Sequence, residues 1–173
     1  TYILAHSLTL DGRSAVQIST ADGRMVEARV VAYEPSTGLV LLQSEALGRA
    51  SAVLADVAPA PGTLAIAVGR WDSGEAVVPV FVTGVRDGRY AISARVDDIP
   101  RGIPLYNLDG ELLAIAAPYG TEVLAYPARD AIARLIARAI AGERLTSIGA
   151  ILQQAAGMLA EMFGDDGVIV TGV

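Results

Sequence analysis

Short apolar or alternating runs, separated by turn residues, fill the first part of the chain. Asp and Gly tolerate the positive φ of a two-residue hairpin turn, so Asp-Gly pairs between such runs predict tight turns. These pairs are Asp11-Gly12, Asp22-Gly23, Asp87-Gly88 and Asp109-Gly110. Segment 15–19 is predicted to pair with segment 26–30 across the second of these turns.

Five further runs have the length and composition of strands: Leu39–Leu42, Leu64–Val68, Val77–Val82, Tyr90–Ser93 and Leu112–Ala116. No long helical pattern interrupts them. Strands at this spacing favour a barrel or sandwich over a parallel α/β sheet. The predicted fold class is therefore all-β.

One helix is predicted from Pro127 to Ala141. Proline suits a first helical position and Gly142 ends the pattern. Asp130 and Arg134 are four residues apart, a spacing at which opposite charges support a helix. The predicted apolar stripe consists of Ile132, Leu135, Ile136 and Ile140.

The pattern restarts after this helix. It predicts a strand at Ile148–Gln153, a short helix at Ala155–Phe163 and a strand at Gly167–Val173. We therefore place a domain boundary near 142–146 and predict two domains, 1–142 and 146–173.

Composition excludes several classes of site. A net charge of −6 argues against nucleic-acid binding, which uses clustered positive charge. The chain has no cysteine, which excludes a thiol nucleophile and thiolate metal ligands. The longest uncharged run, Leu145–Ala160, falls short of the ~20 apolar residues of a membrane helix. We predict no cofactor, no bound metal and no membrane insertion by this segment.

Five segments, in order, resemble those of bacterial serine proteases of the HtrA/Deg type: 2–10, 16–30, 34–42, 62–69 and 100–115. The most specific piece is Pro104-Leu105 with Asn107-Leu108-Asp109-Gly110-Glu111. Residues 148–173 resemble the start of a PDZ domain, with Leu159–Gly164 similar to its helix. The resemblance implies a trypsin-like double β-barrel closed by the helix, then a partial PDZ domain.

The resemblance also carries expectations about the whole protein. The chain opens inside a predicted strand, so we expect an excerpt that lacks the first strands of the N-terminal barrel and most of the PDZ domain. Related proteins imply a bacterial, periplasmic, extracytoplasmic or membrane-tethered location and a role in protein quality control. They also imply peptide or protein partners and a homo-oligomer of related subunits.

The three catalytic positions of that family are all replaced. Serine proteolysis needs an imidazole, a carboxylate that orients it and a hydroxyl nucleophile. By the resemblance, Leu8 stands at the histidine position, Gly38 at the aspartate position and Arg101 at the serine position. In the adjoining loop, Pro100 lacks an N–H and Ile103 replaces a glycine, so the oxyanion-binding geometry is altered too.

The leading interpretation is a catalytically inactive HtrA-like pseudoprotease that acts by peptide or protein binding or as a scaffold. An alternative is an active serine endopeptidase with a displaced triad, in which His6, the single histidine, is the base. Ser7 lies beside it. A third reading is a structural barrel that only supports the PDZ-like unit.

Several residues keep two readings. Arg101 either has a role, with its guanidinium filling the old catalytic cleft or pairing with Asp97 or Asp98, or is a substitution without a role in an unused loop. The two aspartates either bind a metal or are solvated. Aromatic side chains at Trp71 and Tyr90 either line a groove or fill the core, and the second is favoured. Gln153 and Gln154 either receive a peptide strand or form an ordinary polar surface.

Overall fold

A computed structural model describes residues 1–6, 13–20, 22–34, 37–45, 51–71, 74–119, 121–142, 151–154 and 168–172. The chain divides into two compact units, and the larger unit ends at Glu143. The larger unit holds a four-stranded sheet, a closed barrel and one α-helix.

The four-stranded sheet is antiparallel, in the order β1-β4-β3-β2. Its strands are β1 Tyr2–His6, β2 Ala15–Ser19, β3 Met25–Glu34 and β4 Leu39–Gln43. The predicted hairpin across Asp22-Gly23 is confirmed, because Ile18 pairs with Val26 and Gly23 has a φ of 80°.

The barrel closes in the order β10-β7-β6-β5-β8-β9. Its strands are β5 Leu64–Trp71, β6 Gly74–Arg86, β7 Arg89–Ile92, β8 Pro104–Tyr106, β9 Leu112–Tyr119 and β10 Glu122–Pro127. Asp87 and Gly88 join β6 to β7 with φ values of 50° and 71°, as a two-residue hairpin requires. The five predicted strand runs and the all-β class are confirmed.

Small side chains let the barrel close around a narrow core. Alanines of strands β5, β9 and β10 are fully buried there, beside Val80, Val82 and Leu105. Ile99 and Ile103 add to the same core from the loop that precedes β8. A 3-10 helix, Val96–Asp98, lies just before this loop.

The helix α1 runs from Ala128 to Ile140, and Pro127 is its N-cap rather than its first residue. Its buried face differs from the predicted stripe. The sheet contacts the face of Ala128, Ala131 and Leu135, whereas Ile136 is 45% and Ile140 is 81% exposed. The predicted stripe was therefore wrong in part, because small alanines let the helix approach the strands on a neighbouring face.

The exposed isoleucines of α1 line one wall of an apolar groove. The groove has a volume of about 430 Å³, and Tyr2, Leu4, Val31 and Leu41 of the four-stranded sheet line its other side. No helix within the described ranges is long and apolar enough to span a membrane.

The smaller unit contains one described pair of strands. β11, Ile151–Gln154, pairs antiparallel with β12, Val168–Gly172. Both fall within or overlap the two strands predicted from the sequence, and the predicted helix at 155–163 lies outside the described residues. The assignment of this unit to a PDZ domain stays a prediction.

Candidate functional site

Two of the three positions at which the sequence predicts a replaced catalytic residue lie around His6. This residue ends β1 and pairs with Leu39, the first residue of β4, so the strand register places it beside Gly38. On its other side lies Gly102, next to Arg101. A Cβ added to Gly102 would lie 2.9 Å from the His6 Cβ. We call His6, Gly38, Arg101 and Gly102 the His6 cluster. Leu8, the third of these predicted positions, lies outside the described residues.

The imidazole of His6 fills the space beside Gly38. A Cβ added to Gly38 would lie 2.7 Å from Nε2 and 2.9 Å from Cε1 of His6. Gly38 also has a φ of 70°, a conformation that a side chain disfavours. An aspartate at this position would thus clash with His6 in its present place.

A short hydrogen-bonded turn holds Gly38. Its N–H donates to the Glu34 carbonyl at 2.8 Å. The Thr37 hydroxyl donates to Glu34 Oε2 at 2.7 Å and accepts from the Leu39 N–H at 3.2 Å. Arg134 of α1 donates from Nε to Glu34 Oε1 at 3.1 Å. The Glu34 carboxylate therefore ties the turn to the helix.

The contact between Arg134 and Glu34 differs from the predicted Asp130–Arg134 pair and adds Glu34 to the site. Arg134 pairs with Glu34 and not with Asp130, because α1 packs against the end of β3, where Glu34 is buried. Sequence reasoning missed Glu34. A usable signal was present, since an acidic residue ends an apolar strand and a threonine follows three positions later.

The electrostatic setting of His6 favours the neutral imidazole. Burial lowers the pKa of His6 below its usual value of 6.5, and the positive charge of Arg101 lowers it further. A hydrogen bond with the Thr37 backbone acts in the opposite direction. Across the described ranges, no carboxylate and no hydroxyl is hydrogen-bonded to the imidazole. Nothing in that part of the chain orients His6 as a triad carboxylate would.

Arg101 lies exposed on the turn between the 3-10 helix and β8. The turn is anchored, because Ile99 and Ile103 are buried and the Gly102 N–H donates to the Ala116 carbonyl at 2.7 Å. No ion pair joins Arg101 to Asp97 or Asp98. The residues that the structure describes contain no group of three or more His, Asp or Glu placed to hold a metal ion.

Of the remaining candidate residues, the structure describes the side chain of Tyr90 and not the other three. Tyr90 is 8% exposed and belongs to the barrel core, as favoured from the sequence. Burial and the nearby Asp130 carboxylate raise the pKa of its hydroxyl. The side chains of Trp71, Gln153 and Gln154 lie outside what the structure describes.

Solved structures give the clearest comparison. No protein-family model and no curated protein matches the chain. The protease domain of MamO from Magnetospirillum magneticum matches with a TM-score of 0.59 at 23% identity, over 78% of this chain and 82% of that one. An inactive form of Rv3671c from M. tuberculosis H37Rv matches with a TM-score of 0.66 at 21% identity, over 84% and 80%.

The fold is that of the HtrA-type, trypsin-like serine proteases. The HtrA-type protease AlgW, solved with a decapeptide, matches over 99% of this chain with a TM-score of 0.66 at 20% identity. This chain spans 60% of that AlgW chain. These structural matches show the HtrA-type fold alone, and the chemistry depends on this chain's own residues.

Proposed function

We propose that this protein is a non-catalytic HtrA-like pseudoprotease that binds peptides or proteins. One observation carries the proposal: the His6 imidazole occupies the volume that a carboxylate-bearing side chain at position 38 would need. A residue that orients a catalytic imidazole has no room there.

The nucleophile position supports the same proposal. Arg101 stands where the resemblance expects the serine, and a guanidinium stays protonated at neutral pH and is no nucleophile. The buried isoleucines at 99 and 103 bind this loop into the barrel core. Packed isoleucine side chains restrict this loop, whereas glycine would leave its backbone freer. We infer that the loop stabilises the fold.

Peptide or protein binding is the role we assign to the retained fold. AlgW, which has this fold, was solved with a decapeptide and with a tripeptide. The groove between α1 and the sheet adds an apolar surface of the kind that protein partners cover. We further propose that residues 146–173 begin a PDZ domain and that the protein works in a bacterial envelope, in an oligomer of related subunits.

Proteolysis of casein tests the absence of catalysis. The purified chain is incubated with casein beside His6→Ala and Ser7→Ala variants, with trypsin as the positive control. We expect the three samples to match a buffer blank. Cleavage by the wild-type chain that disappears in either variant would establish a displaced triad and overturn the proposal.

A deletion tests which unit binds. The chain truncated after Gly142 retains the four-stranded sheet, the barrel and α1. If a partner captured by the intact chain is lost on truncation, the PDZ-like unit carries the contact. If capture survives, the protease-like unit carries it.

A further inference from the structure

We propose that the His6 cluster is a receptor for a peptide carboxylate, with the Arg101 guanidinium as the group that contacts it. The proposal rests on the proposed function, because it names the chemistry of the peptide that the inactive site would bind. It replaces the interpretation that Arg101 is a substitution without a role.

The first argument concerns the charge of Arg101. In a chain with 19 acidic and 13 basic residues, five of the described arginines pair with carboxylates. The pairs are Arg24–Asp22, Arg86–Glu122, Arg89–Asp87, Arg129–Asp56 and Arg134–Glu34. Arg101 has no such partner among the residues that the structure describes. Its planar guanidinium can accept a carboxylate by two parallel hydrogen bonds.

The second argument is that Arg101 is presented from a fixed turn. Buried residues flank it on both sides, and the next residue, Gly102, is hydrogen-bonded to Ala116 at 2.7 Å. An anchored backbone loses less conformational freedom when a ligand binds than a mobile loop does. Gly102 also contacts His6, so the same turn closes one side of the cluster.

The third argument is that the cluster lacks a negative charge of its own. Position 38 carries no side chain, and the carboxylate nearest in sequence to it, that of Glu34, is held by Thr37 and Arg134. Burial and Arg101 lower the pKa of His6, which favours the neutral imidazole. Among the described residues, Arg101 is the charged group that acts on His6, and it forms no ion pair with a carboxylate there. A carboxylate from outside would complement the excess positive charge.

The test uses the single histidine as a reporter. His6 gives an unambiguous imidazole NMR signal, because the chain has one histidine. Three hexapeptide probes are titrated: acetyl-AAEEAA-amide, acetyl-AAQQAA-amide and acetyl-AAAAAA with a free carboxyl terminus. Carboxylate on a side chain and carboxylate at a chain end are thereby distinguished.

We expect at least one carboxylate peptide to shift the His6 signals and to raise the pKa of His6, since it neutralises Arg101. Arg101→Gln should weaken that binding by at least about tenfold, the scale of a hydrogen bond to a charged group. Arg24→Gln is the matched control, with the same charge change on an exposed hairpin, and should leave the affinity unchanged.

Two results would overturn the proposal. One is that neither carboxylate peptide shifts His6 in the wild-type chain, or that Arg101→Gln binds them as tightly. The other is that the glutamine peptide, which has no carboxylate, binds as tightly as the tighter of the two carboxylate peptides. In that second case peptide binding by an inactive protein still stands, whereas cleavage of casein would remove the proposed function itself.

Discussion

The side chain of His6 and the missing side chain of Gly38 are complementary. A Cβ on residue 38 would lie 2.7 Å from Nε2 of the imidazole, closer than real Cβ contacts allow. The glycine therefore makes room for the histidine, and the two positions should be energetically coupled.

A double-mutant cycle measures this coupling. Gly38→Ala should cost about 2–3 kcal/mol of unfolding free energy, because it adds a contact with His6 to the roughly 1–2 kcal/mol of a left-handed φ. In a His6→Ala background the contact is gone, and the same change should cost only the φ contribution. Urea unfolding of the four proteins gives the values.

Gly23→Ala is the control for the cycle. Gly23 has a φ of 80°, but nothing lies within 4 Å of an added Cβ. Its substitution should show the φ cost alone. If Gly38→Ala costs no more than Gly23→Ala and the cycle shows no coupling, the placement of His6 is wrong.

Stability should fall as the solution is acidified through the titration of His6. The pKa of His6 in the folded chain is below the usual 6.5, so the unfolded chain binds the proton more readily. The free energy of unfolding therefore rises with pH from the folded-state pKa of His6 up to about 6.5. Below this window, the contribution of the neutral His6 to stability is lost. Urea titrations across it should show a steeper rise for the wild type than for His6→Gln. Equal slopes in the two proteins would contradict the assigned environment.

The Glu34–Arg134 ion pair should stabilise the turn that carries Gly38. Arg134→Gln leaves a mostly buried carboxylate with one partner fewer and should cost about 1–2 kcal/mol. Arg129→Gln removes an exposed pair with Asp56 from the same helix and should cost less than about 0.5 kcal/mol. Thermal and urea unfolding compare the two; equal costs would mean that Glu34 has no special role.

Leu135 should anchor α1, in contrast to the exposed isoleucine at the end of the helix. Leu135 is fully buried, and Leu135→Ala should cost about 2–5 kcal/mol. Ile140 is 81% exposed, so Ile140→Ala should cost less than about 1 kcal/mol. A larger loss for Ile140→Ala, measured by urea unfolding, would restore the stripe predicted from the sequence.

The turns and strands that the sequence predicted depend on residues that are close together in the chain. The Asp22-Gly23 and Asp87-Gly88 turns follow from the φ preferences of two adjacent residues, and both hairpins are present. Alternating runs predicted the strands of the sheet and barrel for a similar reason.

Pairings between distant residues were beyond such reasoning. The buried face of α1 depends on where small alanines let it meet the sheet. Arg134 binds a carboxylate 100 positions away in preference to the nearby Asp130. His6 fills the space at Gly38 only because the β1–β4 register aligns it with Leu39. Each outcome is set by tertiary packing, which no local pattern contains.

Covalent labelling tests the absence of an activated serine most directly. The intact chain is incubated with a fluorophosphonate probe and weighed by mass spectrometry, with trypsin as the positive control and His6→Ala alongside. An inactive centre predicts an unmodified mass for both proteins while trypsin is labelled. A stoichiometric adduct on a serine of the wild-type chain, absent from His6→Ala, would contradict the proposal that this fold has lost its catalysis.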